Sequence, residues 1–308
     1  MEIKKIRLGR TGLLVTKTAF GALPIQRLSK PDAVKLVRRA CESGINYFDT
    51  ANAYTDSEEK LGEALRDVRR HVVISTKSSG MDKQTVQAHI EESLRRLRTD
   101  YIDLFQFHNP AVLPDINDPD GPFAAALEAK QKGYIRHIGI TNHRLKVAHA
   151  AIESGNFETL QFPFCYLATE KDLELVELCR RHDMGFIAMK GLSGGLLNNA
   201  EACYAFMQEH PDVVPIWGIQ HEWELDQWLD LTARDPRMTP ELQAVIDHDR
   251  QELSGDFCRS CGYCLPCAAG IDIPQAARMA QLLRRAPYQP YLSDEWYAKM
   301  HQIENCIH

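Results

Sequence analysis

Short apolar runs alternate along this chain with stretches whose apolar residues recur every three or four positions. The runs are Thr18–Leu23, Asn46–Thr50, Val72–Thr76, Tyr101–Phe107, Ile135–Ile140, Thr159–Phe164, Gly185–Met189 and Val213–Trp217. Each reads as a strand, and successive runs are separated by roughly the 30 residues of one β-α unit. Between them, Val34, Val37 and Cys41 share a face of a first helix. Val86, Ile90, Leu94 and Leu97 do so in a third, and Leu173, Val176 and Cys179 in a sixth. Pro31 and Thr85 serve as helix start signals, and Ser43-Gly44, Lys132-Gly133 and Met184-Gly185 as exits toward the next strand.

Strand then helix, repeated in this way, predicts a parallel sheet covered by helices. A doubly wound open sheet is the rival, and it should carry a glycine-rich phosphate loop directly after the first strand. Phe20-Gly21-Ala22-Leu23-Pro24 is not such a loop. The expected fold is therefore α/β, a (β/α)8 TIM barrel. An N-terminal β-hairpin precedes it, pairing Lys4–Leu8 with Leu13–Lys17 around Gly9-Arg10-Thr11-Gly12. After Leu231 the pattern changes, and Pro236 and Pro240 mark a boundary. Residues 1–235 read as the barrel and 236–308 as a small helical, cysteine-rich appendage. Its helices are expected at Glu241–Leu253, with Leu242, Val245 and Ile246 on one face, near Pro274–Arg285 and near Asp294–Glu304.

The length of 308 residues suits one barrel of about 250 residues plus an appendage. A net charge of −6 gives no reason to expect nucleic acid or an anionic membrane as a partner. No run of about 18 apolar residues exists, and the first residues lack the apolar core of a secretory signal. A cytoplasmic location is the default expectation.

The chemistry lies at strand ends. Asp49 closes the second strand with Tyr54 just beyond it, Lys77 closes the third, and His108 closes the fourth. In a parallel barrel those ends share one mouth, where active sites lie. A tyrosine hydroxyl has an unperturbed pKa of about 10, and a nearby cation lowers it. Lys77 is the candidate cation, Asp49 its anchor, and His108 a donor or relay to a substrate oxygen. The set suits proton delivery to a carbonyl oxygen while a hydride arrives at carbon. The plain alternative is a structural Asp–Lys pair with a core histidine and a surface tyrosine. Leu23, Tyr54, Phe164, Tyr166 and Trp217 are candidates to line a pocket, with core packing as the alternative for each.

Gly44-Ile45-Asn46-Tyr47-Phe48-Asp49-Thr50-Ala51, followed by Tyr54, Ser57-Glu58, Leu61-Gly62 and Ala64-Leu65, resembles the signature of the aldo-keto reductases. So does the opening Leu8-Gly9-Arg10-Thr11-Gly12-Leu13, and the likeness runs over nearly all of Leu8 to Leu231. The resemblance implies that Asp49, Tyr54, Lys77 and His108 form a catalytic tetrad with Tyr54 as general acid. It implies NAD(P)H-dependent reduction of an aldehyde, ketone or sugar carbonyl, with a small-molecule substrate as partner. It further implies that Thr141, Asn142 and Gln161 bind the nicotinamide carboxamide, as their side chains are able to do. Lys190-Gly191-Leu192-Ser193-Gly194-Gly195 is a glycine-rich loop with one cation, suited to cradle a pyrophosphate through Lys190, Leu192 and Gly194. Two departures stand out. Met189 occupies a position where the family often stacks an aromatic ring. Gln220 and Glu224 fall in Gly218-Ile219-Gln220-His221-Glu222-Trp223-Glu224, which carries acid where the family often places an arginine for a 2′-phosphate. A carboxylate repels phosphate and accepts from a ribose hydroxyl, so NADP(H) and NAD(H) both remain open.

Cys41, Cys165, Cys179 and Cys203 are scattered in apolar contexts and read as small buried hydrophobes. Cys258, Cys261, Cys264 and Cys267 form a run with three x2 spacings. Bacterial ferredoxins use C-x2-C-x2-C-x3-C-P, so the last spacing here is one shorter, and Ala268 replaces the proline. The run, with Gly270-Ile271-Asp272-Ile273-Pro274, resembles a branch of the aldo-keto reductases with a ferredoxin-like 4Fe-4S region. That branch implies a second run, and Cys306 reads as its first cysteine, so the chain is expected to be truncated. Zinc is the rival metal, and free thiols are the third reading. Two other functions stand beside the reductase: a regulatory or binding subunit of the same fold, and an iron–sulfur electron-transfer protein. Oligomeric state is open.

Overall fold

A computed structural model describes residues 3–253, 258, 264–285 and 288–307. The strands are β1 (Lys5–Arg7), β2 (Leu14–Thr16), β3 (Ala19–Gly21), β4 (Tyr47–Asp49), β5 (Val73–Ser78), β6 (Ile102–His108), β7 (Ile135–Thr141), β8 (Thr159–Pro163), β9 (Gly185–Met189) and β10 (Val213–Gly218). The helices of the barrel are α1 (Lys30–Glu42), α2 (Ser57–Leu65), α3 (Lys83–Leu97), α4 (Pro122–Gln131), α5 (Leu145–Ser154), α6 (Glu170–Arg181), α7 (Ala200–Gln208) and α8 (Glu222–Arg234). Beyond them lie α9 (Pro240–Glu252), α10 (Ile273–Ala276), α11 (Met279–Arg285) and α12 (Asp294–His301).

β3 to β10 form one closed parallel barrel, sealed by pairing of β10 with β3, and every strand expected from the sequence is present. β1 and β2 pair antiparallel as the predicted hairpin, with Ile6 opposite Val15. Side chains alternate between the two faces of a strand, so the barrel has two apolar cores. The outer one fills the space between strands and helices and includes Phe20, Phe48, Ile74, Phe105, Ile140 and Leu160. The inner one holds Ala19, Tyr47, Val73, Leu104, Ile187, Val214 and Ile216, together with Leu8 and Val15 from the hairpin. The hairpin thus plugs the end of the barrel opposite the strand C-termini.

Helix starts follow local chemistry, with two corrections. Ser29 caps α1 by accepting from the Asp32 N–H, with Pro31 in the first turn. Thr85 does not open α3. Asp82 does, accepting from the Thr85 N–H at 2.8 Å, because its carboxylate is free to turn back onto the first turn. On α6 the buried residues are Leu175, Val176 and Cys179, while Leu173 is exposed. The inward stripe is therefore displaced by two residues at its start.

α9 follows the expected bounds, and Ile246, Leu253 and Leu282 of the appendage are buried in the outer core. The single helix expected near Pro274–Arg285 is two short ones. Among the described residues, no helix is long and apolar enough to cross a membrane. Cys179 and Cys203 are buried, and Cys41 and Cys165 are half-buried against the outer core. Burial pushes the Cys179 thiol up to about 12, consistent with an unreactive packing role.

Leu8 is fully buried at the barrel floor and lies against Gly185, where a Cβ would come within 2.7 Å of its side chain. Leu8→Ala is expected to lower unfolding stability by about 2–5 kcal/mol. Urea denaturation checks this, and a loss below about 0.5 kcal/mol would mean that the hairpin does not plug the barrel.

Candidate active site

The inward positions of β4, β5 and β6 change character from floor to mouth. On β5 they run Val73, Ser75, Lys77, and on β6 Leu104, Gln106, His108; on β4 Tyr47 is followed by Asp49. Register places Asp49 beside Ser75, Lys77 beside Gln106, and His108 beside Thr141. Strand periodicity therefore turns three of the four expected groups inward, at successive levels toward the mouth.

Asp49 and Lys77 are 3% and 1% exposed, so their charges are out of water. The Lys77 Nζ donates to Asp49 Oδ2 at 2.6 Å and to the Thr50 carbonyl at 2.6 Å. Asp49 Oδ1 accepts from Ser75 Oγ at 2.6 Å, and the Tyr47 hydroxyl donates to that same Ser75 at 3.1 Å. Tyr54 comes from the turn after β4, where its N–H bonds to the Ala51 carbonyl and its own carbonyl accepts from the Ser57 N–H. Lys77 Nζ lies 5.2 Å from the Tyr54 ring centroid, and the His108 ring meets Tyr54 edge-on at 5.8 Å. The four predicted residues are thus brought together.

The electrostatics correct one expectation. The Tyr54 phenol is raised above its ordinary value, not lowered. Burial disfavours the phenolate more strongly than the charge and hydrogen bond of Lys77 favour it, and Asp49 adds to the upward push. His108 is lowered to about 4 by burial and by Lys77, so it is neutral at pH 7. His143, just beyond β7, is lowered to about 3 by burial, with Lys190, His108 and Arg144 adding to the effect.

Sequence reading missed Gln106. It is fully buried on β6, donating from Nε2 to Gln161 Oε1 at 2.8 Å and to Asp49 Oδ1 at 3.4 Å. Gly139 on the neighbouring strand makes its room, since a Cβ there would lie 3.2 Å from Gln106 Cγ and 2.1 Å from Thr159 Oγ1. The Gln106 Oε1 is buried without a hydrogen-bond partner. A glutamine alternating with Leu104 and His108 was the available signal.

The expected cofactor residues divide. Thr141, Asn142 and Gln161 are buried side by side at the ends of β7 and β8, with Thr141 paired to Gln161. Asn142 spends both ends of its amide locally: Nδ2 donates to the Pro110 carbonyl, and Oδ1 accepts from the His143 and Arg144 N–H groups. Met189 and Leu192 are half-buried, and Gly194 is exposed. Lys190, Ser193, Gly194 and Gly195 all have left-handed backbone angles, which curl the loop tightly. Glu224 is turned onto its own helix. Its Oε2 accepts from the N–H groups of Gln220 and His221 at 2.6 and 2.8 Å, closing a capping box on α8. Glu222 is paired with Lys35 and Arg39. Arg27 reaches the Gln220 Oε1 at 3.4 Å and is the cation that sequence reading overlooked here.

A cavity of about 570 Å³ opens beside this mouth, lined by His143, Phe162, Phe164, Leu167, Lys190 and Cys258 among others. Phe164 borders the cavity, but its ring is buried in the outer core against Phe186, Phe206 and His210. Leu23 is exposed. Tyr166 and Trp217 are core residues instead. Tyr166 is buried with its hydroxyl on Asp249, and Trp217 is stacked on Trp228 at 3.8 Å between barrel and helix.

Cys258 lines the cavity while Cys264 is exposed, and Cys261 lies outside the described residues. Among the described residues, no group of three or more His, Cys, Asp or Glu side chains is placed to hold a metal ion.

Both histidines take up protons far more readily in the unfolded chain than in this fold. Their contribution to stability is expected to be constant above about pH 6.5 and to be lost from there toward pH 4, by about 1.4 kcal/mol per pH unit for each histidine. Urea denaturation between those limits should show this slope, and His108→Gln should reduce it by about 1.4 kcal/mol per pH unit. A slope unchanged in the variant would remove His108 as the cause.

Residues 17–243 match the family model described as the aldo/keto reductase family. A L-galactose dehydrogenase of Arabidopsis thaliana is 32% identical over 64% of this chain and 67% of its own length. A NADH-specific methylglyoxal reductase of Escherichia coli is 26% identical over 63% of this chain and 69% of its own. The chain thus matches about two thirds of each of these relatives. An aldo-keto reductase from Klebsiella pneumoniae, solved in complex with NADPH, superimposes with a TM-score of 0.68 at 22% identity, covering 80% of this chain and 95% of that one. With the fold, the mouth geometry and a family match over most of its length, the chain belongs to the aldo/keto reductase family of NAD(P)H-dependent oxidoreductases.

Proposed function

We propose that the protein reduces an aldehyde, ketone or sugar carbonyl, with a nicotinamide dinucleotide as hydride source and Tyr54 as proton donor. The observation that carries this reading is the Tyr54 phenol held between the Lys77 ammonium and the neutral His108 ring, with Asp49 behind Lys77. Burial keeps the phenol protonated until it is used. As Tyr54 gives its proton to the carbonyl oxygen, Lys77 stabilises the phenolate left behind. Asp49 and the Thr50 carbonyl hold Lys77 aimed at that oxygen. Neutral His108 orients the same carbonyl by hydrogen bonding.

The residues present fit a nicotinamide dinucleotide. Gln106 occupies the Gln161 Oε1, which leaves the Gln161 amide N–H groups to donate to a carboxamide oxygen. The unpartnered Gln106 Oε1 beside it marks a polar place built for more than apolar packing. The curled Lys190–Gly195 loop suits a pyrophosphate. A reduced nicotinamide held there supplies the hydride. One relative is named as NADH-specific and one structural neighbour holds NADPH. The feature that discriminates between the two dinucleotides is Glu224, whose carboxylate occupies the Gln220 and His221 amides at the entry to α8, where a 2′-phosphate would otherwise find donors.

Tyr54→Phe should lower kcat by roughly 10²–10⁴-fold and leave dinucleotide affinity unchanged, as read by steady-state turnover and tryptophan quenching. A variant with full turnover on every reducible aldehyde would overturn the role of Tyr54. Glu224→Gln should raise the ratio of kcat/KM for NADPH over NADH by roughly three- to fivefold. A ratio that stays put or falls would show that Glu224 does not set the preference.

A further inference from the structure

The appendage reaches back to the loop between β9 and α7. Arg278, 6% exposed between α10 and α11, donates from Nη2 to the Ser193 carbonyl at 2.9 Å and approaches the Gly194 carbonyl at 3.5 Å. Arg285 on α11 donates from Nε to the Leu196 carbonyl at 2.6 Å. Its other nitrogens pair with Asp249 and Glu252 of α9. Asp249 also accepts the Tyr166 hydroxyl from the loop after β8. Two arginines of one short segment thus grip three carbonyls of the loop, and the segment is itself anchored to α9 and to the barrel.

The grip has a direction. In a trans peptide the N–H points opposite the C=O, so holding the Ser193 carbonyl toward the appendage turns the Gly194 N–H away from it. The loop is further bent by left-handed angles at Lys190, Ser193, Gly194 and Gly195, and Leu192 accepts from the N–H groups of Gly195 and Leu197. A Cβ on Gly194 would lie 2.9 Å from Arg278 Nη2, so the contact is closely fitted. Among the described residues, the hydrogen-bond partners of Arg278 are these carbonyls, its Nε is buried without one, and its positive charge acts on the loop.

We propose that the C-terminal appendage is a strap on the cofactor loop, with Arg278 as a positioning residue that fixes Ser193 and Gly194 for a pyrophosphate and Arg285 as its second anchor. This rests on the nicotinamide-dinucleotide reading of the site. The strap acts on the diphosphate bridge alone, because its contacts lie on the loop after β9 and not at Tyr54 or Gln161.

Steady-state reduction of one carbonyl substrate is compared with NADH, with NADPH and with dihydronicotinamide riboside, which lacks any phosphate. Arg278→Ala is expected to raise KM for both dinucleotides by roughly tenfold or more, leaving kcat and the riboside reaction unchanged. Unchanged KM for the dinucleotides would overturn the strap. So would an equal loss with the riboside, which would mark Arg278 as a residue of general stability. If Arg278→Ala does not fold, Arg278→Lys, which keeps the charge and loses the planar fork, carries the comparison with the same expected selectivity. Wild-type protein that binds neither dinucleotide would overturn the cofactor reading itself, a result distinct from either outcome in the variant.

Discussion

The mouth of this barrel is organised by one buried ion pair. Asp49 and Lys77 sit almost wholly out of water at 2.6 Å, above an inner core of Ala, Val, Leu, Ile and Tyr side chains. Such a pair is tolerated only where its remaining valences are met, because desolvation of two charges can exceed their attraction. Here the Thr50 carbonyl takes one ammonium proton, and Ser75 and Gln106 satisfy the second carboxylate oxygen. Ser75 and Lys77 occupy inward positions of β5 and Gln106 one of β6, while Thr50 follows Asp49 in the chain. The positions of three strands, β4 to β6, are thereby fixed relative to one another by polar contacts, and Tyr54 and His108 inherit their placement from that frame.

The polar level at the mouth depends on an apolar level below it. Tyr47 belongs to both: its ring lies in the inner core and its hydroxyl reaches Ser75. Leu8 and Val15 of the hairpin close the core from beneath, so water has no route to the ion pair from the floor. Above, the appendage and the loop after β9 enclose the side of the mouth where the cavity opens. Burial raises the Tyr54 phenol and depresses His108, so the enclosure that stabilises the fold also sets which groups carry protons at neutral pH.

Much of this was legible because it is local. Strand positions follow from apolar runs, and the tetrad follows from which residue ends each run. Where the sequence misled, the deciding contact was distant. Trp217 has the look of a pocket aromatic at a strand end, but α8 brings Trp228 onto its face. Tyr166 is drawn into the core by Asp249, 83 positions later in the chain. Gln106 has no meaning until Gly139 vacates space beside it, and Arg278 none until its segment folds back onto Ser193. Thr85 misled for a smaller reason, since Asp82 was an equally good cap three residues earlier.

Closure of the barrel joins Phe20 of β3 to Trp217 of β10, so the ring is completed by strands from opposite ends of the barrel's sequence. During synthesis from the N-terminus, β3 is among the earliest strands made and the last to gain its second neighbour. Its outer edge stays unpaired while the intervening strands emerge, and such an edge is a template for misplaced pairing. The brevity of β3, three residues ending in glycine, limits how much of that edge is ever on offer.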